Sequence, residues 1–192
     1  MSTNLEIEFK NMLSESEYEQ LLNHFSISEE QIWIQKNVYF DTKVFDLKRQ
    51  KAALRVRIKN NTYELTLKTQ AEVGLLETNQ IITKADYKTL KHDHCLVHGP
   101  VYEALMELGI NINDLRVITD LTTKRAEVDY QNGLLVLDKS FYGEVIDFEL
   151  EYEVKDYNKG LNIFNELLAK HNIPTRPAQN KIKRATAAKT QL

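Results

Sequence analysis

Charged and apolar residues alternate along several short segments of this chain, and this pattern limits the fold more than any other feature of the sequence. Successive side chains of a β-strand point to opposite sides, so residues two positions apart share a face. Each segment is therefore predicted to be a strand with one charged face and one apolar face. The charged faces carry Glu6, Glu8 and Lys10; Arg55, Arg57 and Lys59; Glu64, Thr66 and Lys68; Arg125, Glu127 and Asp129; and Glu149, Glu151 and Glu153.

Turn signals join these segments into hairpins. Asn60 and Asn61 separate the strands predicted over 52–59 and 62–68, and Asn132-Gly133 separates those predicted over 115–129 and 134–141. Further strands are predicted over residues 5–10, 31–41, 75–82 and 145–153. Eight is a number of antiparallel strands that can close on itself. The predicted fold is α+β and mainly β, an eight-stranded closed antiparallel β-barrel with helices packed outside.

Helix signals lie between these strands. Ser14 and Glu17 have the spacing of a capping box and predict a helix over about 15–24. Thr83 opens a short helix, and Gly99-Pro100 starts another that Gly109 ends. Asp156 caps a last clear helix, which Pro174 closes.

Composition excludes some classes of function. The chain has 192 residues, 42% of them hydrophobic, and no linker divides it, so we predict a single domain over 1–192. The formal net charge of −3 gives no bulk attraction to nucleic acid or to an anionic membrane. No apolar run approaches the ~20 residues of a membrane span, and the single cysteine, Cys95, fits a reducing compartment. We expect a cytoplasmic monomer or homodimer without nucleic-acid or membrane partners.

Two interpretations of the charged faces stay open at this point. They are either the solvated side of an ordinary sheet or a functional surface. Three glutamates at 149, 151 and 153 repel one another unless cations neutralise them, and divalent ions that prefer oxygen ligands would do so. Arg55 and Arg57 are suited to bidentate contacts with phosphate. This separation of acids from bases favours a metal-bound polyphosphate.

The chain resembles the CYTH, or triphosphate tunnel metalloenzyme, family. Its opening signature of two glutamates and a lysine at alternate positions stands here as Glu6, Glu8 and Lys10. Other segments that match are Tyr39-Phe40-Asp41-Thr42, Leu54-Arg55-Val56-Arg57 and Thr66-Leu67-Lys68, with Glu77, Arg125, Asp138, Glu149-Leu150-Glu151 and Lys181 at the remaining charged positions. The resemblance covers nearly the whole chain in order.

The resemblance implies a tunnel with polar residues facing in, and Mg²⁺- or Mn²⁺-dependent chemistry on a triphosphate-containing small molecule. The residues implied to bind phosphate are Lys10, Arg55, Arg57, Lys68, Arg125 and Lys181. Those implied to hold or support the metal are Glu6, Glu8, Glu77, Asp138, Glu149 and Glu151. Those implied to be catalytic are Glu6, Glu8, Lys10 and Glu151. Phosphoryl transfer needs positioning and charge neutralisation more than covalent chemistry, which agrees with this division.

Inorganic tripolyphosphate is the predicted substrate, because the sequence has neither a Gly-rich nucleotide loop nor an evident pair of base-stacking aromatics. An adenylate cyclase, a thiamine or nucleoside triphosphatase, and a polyphosphate-binding module without turnover remain alternatives.

Three further segments are open to more than one interpretation. Asp138 has the strand parity of Leu134 and Val136, so an orientation toward the charged face would need a bulge or a twist in that strand, and Lys139 is the competing candidate. The histidines and cysteine of 92–98 match no closed zinc pattern, so the histidines are predicted to lie at the surface and Cys95 to be a small buried apolar residue. The basic run over 181–189 lacks the interleaved aromatics of a nucleic-acid site.

Overall fold

The computed structural model describes residues 2–190, with side chains over 4–189. Its strands are β1 Ser2–Leu13, β2 Trp33–Thr42, β3 Ala53–Lys59, β4 Thr62–Gln70, β5 Leu75–Ile82, β6 Leu115–Tyr130, β7 Gly133–Tyr142 and β8 Val145–Val154. Its α-helices are α1 Glu15–His24, α2 Asp46–Arg49, α3 Lys84–Asp93, α4 Pro100–Glu107, α5 Tyr157–Lys170 and α6 Lys181–Thr190. The strands close into an antiparallel barrel in the order β1-β5-β4-β3-β2-β6-β7-β8, which confirms the predicted fold class.

The chain groups into two compact units. The first, called here the arginine unit, contains Gln35–Leu121 and the first residues of β1. In it the apolar faces of β3 and β4 meet in register, Leu54 opposite Leu67 and Val56 opposite Leu65. These side chains are buried against α3 and α4, where Leu90 and Leu105 close the core. The opposite face of the same strands is left for polar side chains.

The second unit, called here the carboxylate unit, contains Glu6–Ile34 and the chain from Thr122 onward. Its strands pair as β1–β8–β7–β6, with Lys10 opposite Glu151 and Asp138 opposite Glu149. One face packs under α1 and α5, where Leu150 and Tyr152 are fully buried. The alternate positions form the polar face.

The hairpin between β6 and β7 is confirmed, but its turn lies one residue earlier than predicted. Tyr130 pairs with Gly133, so Gln131 and Asn132 form the two-residue loop, both with positive φ. Gly133 is needed for a different reason. A Cβ there would lie 2.7 Å from the backbone oxygen of Glu153 and 2.6 Å from the ring of Tyr152. The glycine thus permits close approach of β8 instead of supplying the turn.

The expectation that Asp138 needs a bulge is wrong. Pairing of β7 with β8 runs without interruption from Leu134 to Tyr142, and Asp138 is completely buried on the polar face. Val136 shares that face, so an apolar residue lies there among charged ones. Lys139 points to the helix side, where its Nζ lies 3.1 Å from Glu15 of α1.

The helices agree with their predicted caps, and two more are present. Ser14 and Glu17 form the capping box of α1, Thr83 and Asp86 that of α3, and Asp156 caps α5. The sequence analysis missed α2 and α6, which are short and carry few apolar residues. Within the described part of the chain, no helix combines the length and the apolar character that crossing a membrane requires.

Candidate active site

Arg125 of β6 lies on the polar face of the carboxylate unit and binds two acids. Its Nε donates to Asp138 Oδ1 at 2.8 Å, and its Nη2 donates to Asp138 Oδ2 at 2.6 Å. Nη2 also lies 2.9 Å from Glu151 Oε2. Burial by itself lowers the pKa of the guanidinium, but the charges of Asp138 and Glu151 raise it above its usual value. The group therefore stays charged although it is buried.

Lys181, the first residue of α6, brings a second cation to the same acids. Its Nζ lies 2.5 Å from Glu149 Oε2, 2.7 Å from Glu151 Oε1 and 2.9 Å from Asp138 Oδ2. An ammonium group has three N–H donors, so each of them has a carboxylate partner here. Burial opposes the charge of Lys181, and the three carboxylates together raise its pKa well above the usual value.

Glu151 is the acid that most cations share. Lys10 of β1 lies 3.2 Å from its Oε1, in addition to the contacts from Arg125 and Lys181. Burial by itself would raise the pKa of Glu151, but Lys10 and Lys181 hold it well below the usual range. We call these residues the mixed cluster: Lys10, Arg125, Asp138, Glu149, Glu151 and Lys181.

A second group on this polar face consists of acids. Glu6, Glu8 and Glu153 each have a carboxylate oxygen within 4.8 Å of the others, and all three are half-buried. The register of β1 with β8 explains this, since Glu8 lies directly opposite Glu153. Burial, and then the charge of Glu6, raises the pKa of Glu153 to about 7. We call these three residues the acidic triad.

The acidic triad has the donor chemistry of a site for a hard divalent ion. Mg²⁺ prefers a few carboxylate oxygens and completes its shell with water and phosphate oxygens. The three carboxylates crowd together although Lys10 Nζ lies 2.8 Å from Glu8, and burial, followed by the charges of Glu6 and Glu151, raises the pKa of Glu153. The residues present therefore fit such an ion.

Arginine side chains mark the polar face of the arginine unit. Arg55 and Arg57 of β3 share this face, and Arg57 Nε donates to Asn37 Oδ1 of β2 at 3.3 Å. Arg55 is 9% exposed, and its buried Nε has no hydrogen-bond partner among the described residues. A buried donor without a partner is costly, and such groups often mark a site that a ligand completes.

Lys68 of β4 continues this face next to an acid. Its Nζ lies 2.5 Å from Glu77 Oε1 of β5, directly across the pairing of the two strands. Burial by itself would raise the pKa of Glu77, but the charge of Lys68 lowers it. Thr66, which pairs with Arg55, donates to Asn79 Oδ1 at 2.7 Å. We call Arg55, Arg57 and Lys68 the basic face.

The predicted site residues thus fall into local groups. In the carboxylate unit the structure brings together Lys10, Arg125, Asp138, Glu149, Glu151 and Lys181, with Glu6 and Glu8 in the triad. In the arginine unit it places Arg55, Arg57, Lys68 and Glu77 on one face.

Two residues were missing from the predicted set. Glu153 has the strand parity of Glu149 and Glu151, and this signal was enough to include it. Arg184 contacts Glu149 at 2.7 Å, and its spacing of three residues from Lys181 would have placed it on the same side of a helix, had α6 been predicted.

The segment over 92–98 does not form a metal site in the described part of the chain. The acidic triad is the one group of three potential histidine, cysteine or carboxylate ligands found there. Cys95 is exposed, so the interpretation of it as a small buried apolar residue is wrong. The rings of His98 and Tyr102 lie 4.0 Å apart with planes tilted by 31°.

Comparison with known proteins identifies the family. The CYTH domain model matches residues 4–186. A protein of Bacillus subtilis (strain 168), named "Putative triphosphatase YjbK", is 41% identical over 184 residues, which covers 96% of this chain and 95% of the relative. The chain therefore belongs to the CYTH family, as the sequence motifs predicted.

Solved structures agree with this assignment. The crystal structure of a protein from Bacillus halodurans, described as a "putative adenylate cyclase", has a TM-score of 0.92 and 38% identity, and the match covers 96% of this chain and 98% of that one. A Hippeastrum protein, HpAC1, shares the fold with a TM-score of 0.77 at 20% identity, over 96% of both chains. HpAC1 is described as a "putative adenylyl cyclase" with a dominant triphosphatase activity.

Proposed function

We propose that this protein hydrolyses inorganic tripolyphosphate with the help of a divalent metal ion, Mg²⁺ or Mn²⁺. The observation that carries the proposal is the acidic triad beside the mixed cluster, on one polar face. A phosphate binder without turnover gains nothing from three acids that repel its ligand. The name of the Bacillus subtilis relative supports a triphosphatase. We further propose that 1–192 functions as one domain, since the family match runs continuously from residue 4 to 186.

In this proposal the metal is held by Glu6, Glu8 and Glu153. A divalent ion bound there supplies positive charge that neutralises phosphate oxygens and increases the acidity of water. The other acids that were predicted to hold metal have a different proposed role. Asp138, Glu149 and Glu151, predicted as metal ligands, each contact basic side chains, and Glu77 contacts Lys68. We infer that these four orient cations instead of holding metal.

In this proposal, phosphate oxygens bind to N–H groups of basic side chains, including groups that the neighbouring acids do not occupy. Arg125 uses Nε and Nη2 for acids, whereas its Nη1 lies 3.8 Å from Glu127, beyond hydrogen-bond distance. Lys10 contacts two acids and retains a third N–H donor. Arg55 has its unpartnered Nε. In the arginine unit, Arg57 and Lys68 are proposed to bind phosphate oxygens as well; for Lys181 that role stays a prediction.

Phosphoryl transfer to water mainly requires that the protein position the substrate and stabilise negative charge on its phosphoryl oxygens. Hydrolysis of tripolyphosphate breaks one phosphoanhydride bond, adds water and releases pyrophosphate and orthophosphate. Its transition state spreads negative charge over phosphoryl oxygens, so fixed positive groups that are already buried and ordered lower the barrier. Arg125 satisfies this condition, because Asp138 fixes its guanidinium through two hydrogen bonds.

Adenylate cyclase activity is the second candidate, because the Bacillus halodurans structure at 38% identity is described as a cyclase. One experiment separates the candidates. Phosphate release is measured from tripolyphosphate, ATP and thiamine triphosphate with Mg²⁺, Mn²⁺ or EDTA, and cyclic AMP is measured in the ATP reactions. We expect metal-dependent release that is fastest from tripolyphosphate. Cyclic AMP as the main product would favour the cyclase, and binding of tripolyphosphate without any product would favour the anion-binding module.

A further inference from the structure

Helix α6 is held in place mainly by charge. Its sequence, KIKRATAAKT, contributes one fully buried side chain, Ala185, and short polar helices are marginal on their own in water. Two of its basic residues, Lys181 and Arg184, are nearly buried and reach acids on β7 and β8. The position of α6 therefore depends on these two side chains.

Arg184 joins α6 to β8 at two points. Its Nε donates to Asp147 Oδ2 and its Nη2 donates to Glu149 Oε2, each at 2.7 Å. Its Nη1 bonds to the backbone oxygen of Gln179, which lies just before the helix. A planar guanidinium with several donors can hold two carboxylates and a carbonyl at once in fixed directions, which a lysine cannot.

Asp147 is itself held from the other side. The hydroxyl of Tyr142, at the end of β7, donates to the same Oδ2 that Arg184 contacts. Burial, and then the bond to Asp147, raises the pKa of Tyr142 to about 12, so the hydroxyl stays a donor at neutral pH. The result is a chain of contacts from β7 through Asp147 to α6.

Arg184 and Lys181 meet at a single oxygen. Both contact Glu149 Oε2, from the same side of the helix, three residues apart. In the part of the chain that the structure describes, Arg184 contacts neither Asp138 nor Glu151, whereas Lys181 contacts both. The Arg184 guanidinium thus sets how far the Lys181 side chain reaches into the mixed cluster. Arg184 itself stays at the edge of that cluster.

We propose that Arg184 is a positioning residue that acts through Lys181: its bridge to Asp147 and Glu149 sets the place of the Lys181 ammonium in the mixed cluster. This proposal deepens the proposed triphosphatase and rests on it. Loss of the bridge lets α6 fray, and Asp138, Glu149 and Glu151 then lose one of their cations. Arg184 and Lys181 should therefore behave as one unit when they are replaced.

The test compares Arg184→Gln, Lys181→Gln and the double variant. Arg184→Lys and Asp147→Asn weaken the bridge without removing it. Arg176→Gln is the matched control, because Arg176 also ties the C-terminal segment, through Glu17 at 2.7 and 3.0 Å, but contacts no residue of the mixed cluster in the structure. Amide hydrogen exchange over 181–189 and tripolyphosphate kcat and KM are measured for all variants.

We expect Arg184→Gln to speed exchange over α6 and to lower kcat/KM by on the order of 10- to 100-fold, as small misplacements of a site do. Lys181→Gln and the double variant should give a similar loss, and Arg184→Lys should recover part of it. Arg176→Gln should stay within about twofold of the parent, because it leaves the site geometry intact.

Three results would overturn the proposal. They are unchanged exchange in Arg184→Gln, unchanged kcat/KM in an active parent background, and a double variant whose loss is the product of the two single losses. If the parent releases no phosphate, the proposed function fails, and the bridge is then judged by exchange and by the coupling of Arg184 with Lys181 in thermal unfolding. If Arg184→Gln does not fold, Asp147→Asn gives the same decision.

Discussion

Arg55 and Arg125 are two buried arginines on the polar faces of the two units, and they differ in their partners. Their exposed fractions are 9% and 6%. Arg125 holds Asp138 by two hydrogen bonds, whereas the buried Nε of Arg55 has no partner among the described residues. Equal burial therefore has opposite consequences for stability: one guanidinium is compensated and the other carries a desolvation cost.

This difference extends to the faces around them. In the carboxylate unit, acids and bases are interleaved: neighbouring charges raise the pKa of Arg125 and lower that of Glu151, so much of the mixed cluster is already neutralised by its own ion pairs. In the arginine unit, Glu77 contacts Lys68, and Glu64 lies opposite Arg57 in the pairing of β3 with β4. We infer that the first face is built to hold a cation and the second to hold an anion.

The largest effect is expected at Arg125. Arg125→Met removes two hydrogen bonds from buried Asp138 and leaves it the contact with Lys181, which costs up to about 3–5 kcal/mol of the free energy of unfolding. Chemical denaturation at neutral pH measures this loss. Asp138→Asn in the same chain should restore part of it, because the amide is neutral. A loss below about 1 kcal/mol would place Arg125 among weakly coupled surface pairs.

Arg55→Met should affect function more than stability. The substitution removes a buried donor without a partner, so the free energy of unfolding should stay within about 1 kcal/mol of the parent. Loss of one charge-stabilising donor should lower kcat for tripolyphosphate by about 10²- to 10³-fold. Arg55→Lys should recover little, because the fork is absent. If Arg55→Met lost as much of the free energy of unfolding as Arg125→Met, the proposed difference between the two arginines would be wrong.

Glu77→Gln tests whether this acid orients Lys68 or holds metal. If it orients Lys68, the substitution should change KM for tripolyphosphate by no more than about 10- to 150-fold, since one hydrogen bond to a charged group is worth about 1.5–3 kcal/mol. The Mg²⁺ concentration at half-maximal rate should stay the same. A large shift in that concentration would return Glu77 to the metal ligands predicted from the sequence.

The smallest effect concerns His171 in the carboxylate unit. Burial, and then His24 at a ring distance of 4.4 Å, lowers the pKa of His171. The unfolded chain then binds more protons than the folded one as pH falls below the ordinary value of about 6.5, so stability is present above that pH and is lost below it.

Thermal unfolding between pH 7.5 and 5 measures this dependence. His171→Phe should reduce the slope, whereas His98→Phe, at an exposed site of the arginine unit, should leave it unchanged. An equal slope in the parent and in His171→Phe would exclude His171 as its source.

Much of the fold could be predicted because strand parity is a local property. Charge at alternate positions identified the polar faces of β1, β3, β4, β6 and β8, and two turns identified hairpins. The same rule failed at Asp138 because it assigned Val136 to the apolar side. In the structure Val136 lies on the polar face, opposite Glu151, so a single apolar residue does not decide which side faces the core.

The sequence predicted most of the residues that belong to the site but not which of them contact one another. Parity states which face a side chain occupies and says nothing of which partner it meets. The contacts of Lys181 depend on α6 returning to β7 and β8, to partners at least 30 residues away in sequence, and no local signal in KIKRATAAKT indicates that return. For this reason Arg184 was missed, and Asp138, Glu149 and Glu151 were predicted to hold metal.

The acidic triad as metal site is the central claim, and a Mg²⁺ titration of tripolyphosphate hydrolysis tests it most directly. The parent is compared with Glu8→Gln, Glu153→Gln and the control Glu144→Gln, an exposed acid in the β7–β8 turn. Both triad variants should fold and should need at least ~10-fold more Mg²⁺ for half-maximal rate, the cost of losing even an indirect metal contact. Glu144→Gln should match the parent. Parent-like Mg²⁺ dependence in both triad variants would contradict the account.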